Sequence, residues 1–598
     1  MRLKSYDLFD TLVTRLTRRP VDVFRLLGAS DRVVFRFRLA GIVPFHVWRR
    51  RAERLARFRS SREDIRLAEI YRLLGWIIRH PARVMRLEMA LENALITPMP
   101  GTVAELAAYR RNGTPCCIIS DMYLPRRFLQ RLVRRRVEDV PVFVSSESGM
   151  TKGSGNLFRR VAQVYDLPLS EIHHSGDNPV ADLAVPKRLG MGVTPLLAPA
   201  GGNSAGLLDA LKCPSDDPFF EMGFRVSGPT ALTMAACLAE QAEREKPANL
   251  IFGARDMLLV YEAFKRLTKD SFPASYCRIS RSAVFRAQFY VNGNTERLFE
   301  TIAETGEVFF SYLGAECPPA LATLSPQRHR RRFRAALQAE SFMRESEQEF
   351  ETVRDYLRHE GFRMGTWFVD LGWRGTVQQA INEILRLDRP IPGKYLGTLT
   401  PHSLRQGFYF NGGHPWKRRF RVMQAMSFME FVFMEAAPGL AHVTRDNAGF
   451  KLIYVEDDAV QQAGRARITL GARAFLDTMI PLCQTSHPST SALLRALDDL
   501  YDRYLLAPPG HWVKALETNT YARGLGETGT QPLVGDDTGT PIGLLRSEWQ
   551  GGYLRKHAHS HWLPALRALH NPLPYLAWDG FKKTTWPIRT LLQQRSTR

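Results

Sequence analysis

Four short polar segments stand in a fixed order along the chain: SYDLFDTL at residues 5–12, CIISDMYLP at 117–125, TKGSGNLF at 151–158 and HHSGDNPVAD at 173–182. Each follows an apolar run or opens a helix. Each can therefore deliver polar groups to the carboxyl ends of parallel strands, where open α/β sheets bind ligands. The arrangement predicts a Rossmann-like α/β sheet and, as its ligand, a phosphate together with a divalent metal.

The chemistry of the residues points the same way. Asp7 ends a buried strand, where a carboxylate is poorly hydrated unless something binds it, so a nucleophile or metal ligand fits. Ser120 and Asp121 close the apolar run of residues 115–119, and the hydroxyl with the following backbone N–H groups can hold phosphoryl oxygens, as a helix start does. Lys152 supplies a compact cation. Gly176 permits a tight approach, and Asp177 and Asp182 offer the hard oxygen ligands that Mg²⁺ prefers. Taken singly, each residue has a plainer role: Asp7 or Asp10 as a turn or cap, Asp177 with Asn178 as an Asx-turn, Ser120 and Asp121 as a helix cap, Lys152 as a solvated lysine.

The constellation resembles the haloacid dehalogenase (HAD) superfamily over residues 1–200. The resemblance implies a Mg²⁺-dependent hydrolase, a phosphatase or phosphotransferase, with Asp7 as the nucleophile that forms an aspartyl-phosphate. Ser120, with Thr11, Asp121 and Lys152, would hold the phosphate. Asp7, Asp177 and the backbone carbonyl of Phe9 would hold the metal, with Asp182 as a further ligand or as the group that orients Asp177. Phe9 is a departure, because phosphatases of the superfamily usually carry a second Asp there as general acid and base, a contribution on the order of 10²–10⁴-fold. A phenyl ring cannot transfer a proton, and the neighbouring Asp10 reaches the site only if the loop turns differently. A catalytically weak phosphate-binding or assembly protein is the alternative.

Between residues 16 and 110 the apolar positions recur at helical spacing throughout, which predicts a helical block inserted between the first two strands of the sheet. Such a block corresponds to the cap of one HAD subclass. After the fourth segment a Pro, Gly and Ser-rich stretch at 195–218 reads as a linker. Alternating strand and helix patterns then predict a second doubly wound α/β domain over 220–445, with strands at 249–253, 367–370 and 394–399. Arg374, Gly375 and Thr376 open a helix there and are candidate phosphate ligands, while Arg255, Asp256, Ser280 and Arg281 fall at expected strand ends. A third possibility for function places group transfer in this domain. Residues 446–598 read as a mixed, mainly helical region, with His557, His559 and His561 spaced for one side of a strand.

With 598 residues, 44% hydrophobic and 24% charged, the chain can bury several cores. No apolar run reaches the roughly 18–20 residues of a membrane span. The first motif begins at once, leaving no room for a secretory signal, and seven cysteines without metal-ligand spacing fit a reducing cytoplasm. The net charge of +22 calls for anionic partners. No nucleic-acid-binding signature accompanies it. The arginine clusters at 49–51, 134–136 and 330–332, with a basic aromatic tail containing Trp578, Lys582, Lys583, Trp586 and Arg589, suit an anionic membrane surface, or simply a solvated face. With ARD and DLGWRGT further along, the whole chain resembles predicted HAD hydrolases found with bacterial surface-polysaccharide glycosyltransferases. That resemblance implies a phosphorylated sugar or nucleotide-sugar substrate, glycosyltransferase partners, and a cytoplasmic enzyme near the inner membrane.

Overall fold

The computed structural model describes residues 2–560 apart from 197–206, 294–298, 300–304, 314, 448, 456–458, 518–519, 523–529, 536–538, 541–543, 545–546 and 548. The basic aromatic tail, His561 and most of the Gly, Thr and Pro-rich stretch near residue 530 lie outside these residues. The chain divides into two compact units, Met1–Lys212 with Pro481–Ala496, and Cys213–Ile480 with Leu497–Arg598. The fold class is α/β, with a parallel sheet in each unit.

In the first unit β1 (Leu3–Tyr6) is buried on both faces, as a central strand of a parallel sheet must be. Two short antiparallel strands, β2 (Val13–Arg15) and β3 (Ile96–Pro98), bracket an insertion with helices Asp22–Gly28, Phe45–Arg59, Leu67–Leu74 and Pro81–Leu95. Helical spacing alone gave no sign of this pair of strands, because each is only three residues long and too short to show period-two alternation. The helix Pro100–Arg111 then leads into β4 (Cys116–Ser120), followed by β5 (Val142–Val144), β6 (Ile172–Gly176) and β7 (Gly192–Pro195). The sheet runs β5-β4-β1-β6-β7, all parallel. Strand order reverses between β1 and β6, which opens a crevice at their carboxyl ends. Leu3, Cys117, Ile119, Phe158 and Val161 form the core beneath it.

The insertion is cross-linked by a charge that the sequence placed on a surface. Arg49 is fully buried and grips Glu88 in a fork, Nε to Oε2 at 2.9 Å and Nη2 to Oε1 at 2.8 Å, while Tyr71 donates to the same carboxylate at 2.6 Å. Its guanidinium also lies over Phe24 and Tyr123. One member of the 49–51 cluster is thus a core residue, because a bidentate partner and aromatic faces replace its hydration.

In the second unit β8 (Asn249–Gly253), β9 (Ala274–Cys277), β10 (Thr366–Asp370), β11 (Gly393–Thr398) and β12 (Arg405–Asn411) form an all-parallel sheet in the order β12-β11-β10-β8-β9. The reversal lies between β8 and β10. Ile251, Phe368, Ile381 and Leu357 build the core on one face. Residues 557–559 form a turn after helix Gln550–Lys556, so His557 and His559 do not share a strand face. No helix among the described residues is long and apolar enough to cross a membrane.

Candidate active site

Three of the four segments converge because parallel register aligns their strand ends. Tyr6 pairs with Ile118 on one side and Ser175 on the other, so Asp7, Ser120 and Asp177 leave the sheet at one edge. The third segment approaches from the loop before helix Asn156–Tyr165. Lys152 is 3% exposed and its Nζ donates to Asp7 Oδ1 at 2.7 Å and to Asp182 Oδ1 at 2.5 Å. Burial opposes the ammonium, but the two carboxylates outweigh it and raise its pKa. It is a buried clamp, not a solvated lysine.

Asp182 reaches the clamp from the π-helical turn Pro179–Ala184, which Asn178 caps by accepting from Val180 and Ala181. A Cβ on Gly176 would stand 2.5 Å from Asp182, so only glycine lets the carboxylate lie against the end of β6. Asp182 Oδ2 accepts from the Asn178 N–H at 3.0 Å, and Oδ1 is 3.1 Å from His174 Nε2. His174 Nδ1 lies 3.0 Å from Ser5 Oγ. Burial drives His174 down to about 4, so the ring is neutral near pH 7. Ser5 then donates to Nδ1, and Nε2–H donates to Asp182. Burial works against the charge of Asp182, yet the His174 hydrogen bond and Lys152 hold its carboxyl well below the usual range. The sequence reading assigned no role to His174 or Ser5. The HHSG run at the end of β6 is the one signal for His174, and Ser5 stands in the first motif, two residues before Asp7.

Asp7 behaves oppositely. Burial pushes its carboxyl up to about 7, with Lys152 opposing and the nearby charge of Asp182 adding to the rise. Asp177 is raised as well, by burial and then by Asp182. Carboxylate oxygens of Asp7, Asp177 and Asp182 all lie within 4.8 Å of one another. Three carboxylates with one lysine between two of them leave an excess of negative charge on hard oxygen donors, and a divalent cation of the Mg²⁺ type fits such a set. These three residues could hold it, with Phe9 beside them on the cavity wall.

The other expected residues take distinct positions. Ser120 is buried at the end of β4 and lines the same cavity of about 450 Å³. Asp121 lines its rim and accepts from the Lys152 backbone N–H at 2.9 Å, fixing the lysine loop. Thr11 is fully buried and its hydroxyl donates to Asp177 Oδ1 at 3.4 Å. Asp10 has a left-handed φ of 55° and accepts from Thr14 Oγ1 at 2.8 Å, and it is absent from the cavity lining. In the second unit Arg374 is exposed beside the buried Trp373, whose indole donates to Glu430. Gly375 caps helix Thr376–Leu385 with φ 64°, where a Cβ would meet Arg405 Nε at 2.6 Å.

No protein-family profile and no curated protein matches the chain. Among solved structures, it is similar to the L-2-haloacid dehalogenase PA0810, at 16% identity over 36% of this chain and 92% of that one, with a TM-score of 0.26. The HAD family enzyme bt-2542 from Bacteroides thetaiotaomicron, in complex with magnesium and inorganic phosphate, is 16% identical over 33% of this chain and 95% of its own, with a TM-score of 0.23. The defluorinating L-2-haloacid dehalogenase Rha0230 is 16% identical over 34% of this chain and 85% of that one, with a TM-score of 0.26.

Proposed function

We propose that the first unit is a HAD-type, Mg²⁺-dependent phosphoryl-transfer site acting on a small phosphorylated metabolite. The observation that carries this reading is the Lys152 clamp between Asp7 and Asp182, with Asp177 beside them at the point where strand order reverses. Asp7 is the nucleophile, Ser120 and the N–H groups after it receive the phosphoryl oxygens, and Lys152 holds nucleophile and phosphate in one position. Asp7, Asp177 and Asp182 would hold the metal, which when bound would stabilise negative charge on the transferring group. The His174 and Ser5 relay keeps Asp182 ionised and oriented. Thr11 steadies Asp177.

Purified protein should hydrolyse or transfer phosphate from members of a phosphoester panel with Mg²⁺ and not with EDTA. Asp7→Asn should lower that turnover on the order of 10⁴-fold or more, as loss of a covalent nucleophile does. Unchanged turnover in that variant would refute the aspartyl-phosphate route.

A second reading, a binding or assembly protein with a phosphate pocket, is favoured by Phe9 and by the turning of Asp10 toward Thr14. Mg²⁺-dependent phosphate binding without turnover would establish it. A role beside surface-polysaccharide glycosyltransferases, at the cytoplasmic face of a membrane, rests on motif resemblance alone.

A further inference from the structure

We infer that the cavity selects phosphorylated substrates whose leaving group departs as a weakly basic organic anion, an acyl or aryl oxygen, and that Arg15 and Arg50 receive it. The inference rests on the phosphoryl-transfer reading and narrows its substrate class.

The argument starts where a proton donor is missing. The ring of Phe9 is covered by the guanidinium of Arg15, whose Cζ lies 4.2 Å from the ring centroid. Arg15 is 8% exposed and lines the cavity. Its Nε and Nη2 are taken by Glu92, at 3.0 and 3.3 Å, and Glu92 is itself buried. Nη1 has no hydrogen-bond partner among the described residues. Arg50, on helix Phe45–Arg59, lines the same cavity, is exposed, and makes no hydrogen bond or ion pair among the described residues. A guanidinium stays protonated at every working pH, so it cannot hand a proton to a departing alkoxide. It can stabilise an oxyanion that needs no proton, and a fixed donor in a partly dry site does so strongly.

The walls agree with that chemistry. The cavity lining includes Phe9, Pro20, Val21, Phe24, Met122 and Tyr123, with Glu53 and Asn178 as polar groups among them. Over these apolar side chains the hydroxyls of a polyhydroxylated sugar would lie unpaired, whereas an organic acyl or aryl group packs against carbon. In the first step a carboxylate oxygen of Asp7 forms a bond to phosphorus. The bond from phosphorus to the leaving oxygen breaks, and its electron pair leaves as carboxylate or phenolate beside Arg15 and Arg50. Water then attacks the phosphorus of the aspartyl-phosphate, the bond from phosphorus to the Asp7 oxygen breaks and returns its electron pair to the carboxylate, one water proton stays on the released phosphate and the other passes to solvent. No external acid or oxidant is consumed.

The test is turnover of the full chain with Mg²⁺ on acetyl, nitrophenyl, phenyl and glycerol phosphates, with inorganic phosphate as inhibitor. We expect kcat/KM to fall by at least about 10²-fold from the acyl and nitrophenyl substrates to glycerol phosphate, the span that general acid catalysis would otherwise cover. Arg15→Lys should lower turnover of acyl and aryl substrates about tenfold while phosphate inhibition is unchanged, because the fork geometry is lost but the charge is kept. Should Arg15→Lys fold poorly, Arg50→Met at an exposed position should raise KM for aryl substrates severalfold. Phe9→Asp should reduce the preference by raising alkyl turnover. Glycerol phosphate turned over within about tenfold of nitrophenyl phosphate would overturn this assignment and leave the phosphoryl-transfer reading intact. So would arginine variants that lower all substrates equally. No turnover on any substrate would overturn both.

Discussion

Each unit ends two strands in carboxylates at the point where strand order reverses: Asp7 and Asp177 after β1 and β6, Asp256 and Asp370 after β8 and at the end of β10. In the first unit a buried lysine bridges Asp7 to Asp182, and a neutral histidine holds the bridge from behind. Among the described residues the second pair has arginines, and no lysine, as its neighbouring cations. Arg278 is committed to Glu435 through a fork at 2.6 and 2.9 Å. Burial pushes Asp256 up to about 6, with Glu430 adding and Arg255 and Arg281 opposing, and Asp370 up to about 7, with Asp256 adding. The contrast teaches that parallel topology supplies the crevice, while one loop residue decides whether it becomes a charge-organised site.

The sharpest way to break the comparison is to remove the lysine. Lys152→Met leaves Asp7 and Asp182 buried without their shared cation, and should cost about 3–5 kcal/mol of stability as well as turnover. Chemical denaturation measures the first effect and the phosphoester panel the second. A variant as stable as the native protein would mean that the clamp is not the organising charge.

The next effect is the coupling of metal to pH. Asp7 has a folded-state pKa raised from 3.8 to about 7, so the stability it contributes is present below pH 4 and lost as pH rises toward 7. Asp182 is depressed, and its contribution is lost only as pH falls below its ordinary value. Of these two carboxylates only Asp7 changes its charge between pH 5 and 8. At a hundredfold excess over its Kd at pH 8, Mg²⁺ should stabilise the protein by about 2.7 kcal/mol, and the same concentration should stabilise it less at pH 5. Thermal melts with and without Mg²⁺ at both pH values check this, and a larger shift at pH 5 would contradict it.

The smallest effect lies in the second unit. Asp370→Asn keeps an oxygen that can accept from the Leu371 N–H, a bond of 2.8 Å, but cannot ionise. Relative to the native protein its Tm should rise by about 2 °C on going from pH 5 to pH 8, with phosphoryl turnover unchanged. An equal difference at both pH values would show that repulsion at this reversal point is already relieved.

Much of this was legible in the chain. The CIIS run before Asp121 reveals a strand and the group at its end, because a buried parallel strand favours a continuous apolar stretch, whereas LKSY before Asp7 and IHHSG before Asp177 carry polar residues and are marked by the order of the acidic motifs. The acidic spacing in GDNPVAD marked Asp177 and Asp182. The strand over Asn249–Gly253 and the helix after Gly375 were equally plain. Other partnerships were not. Arg49 and Glu88 sit 39 positions apart and Arg15 and Glu92 77 apart, so no local pattern shows that these charges meet in a dry core.

The sequence by itself determined where strands end in acid and where a lysine stands between them, since those are properties of neighbouring residues. Only the tertiary structure decided that Lys152 bridges Asp7 across 145 positions, that Ser5 and His174 back Asp182, that Thr11 serves Asp177 and that Asp10 turns to Thr14. Those choices depend on strand register and loop direction, which place side chains to within a hydrogen bond's length, and periodicity carries no distances of that kind.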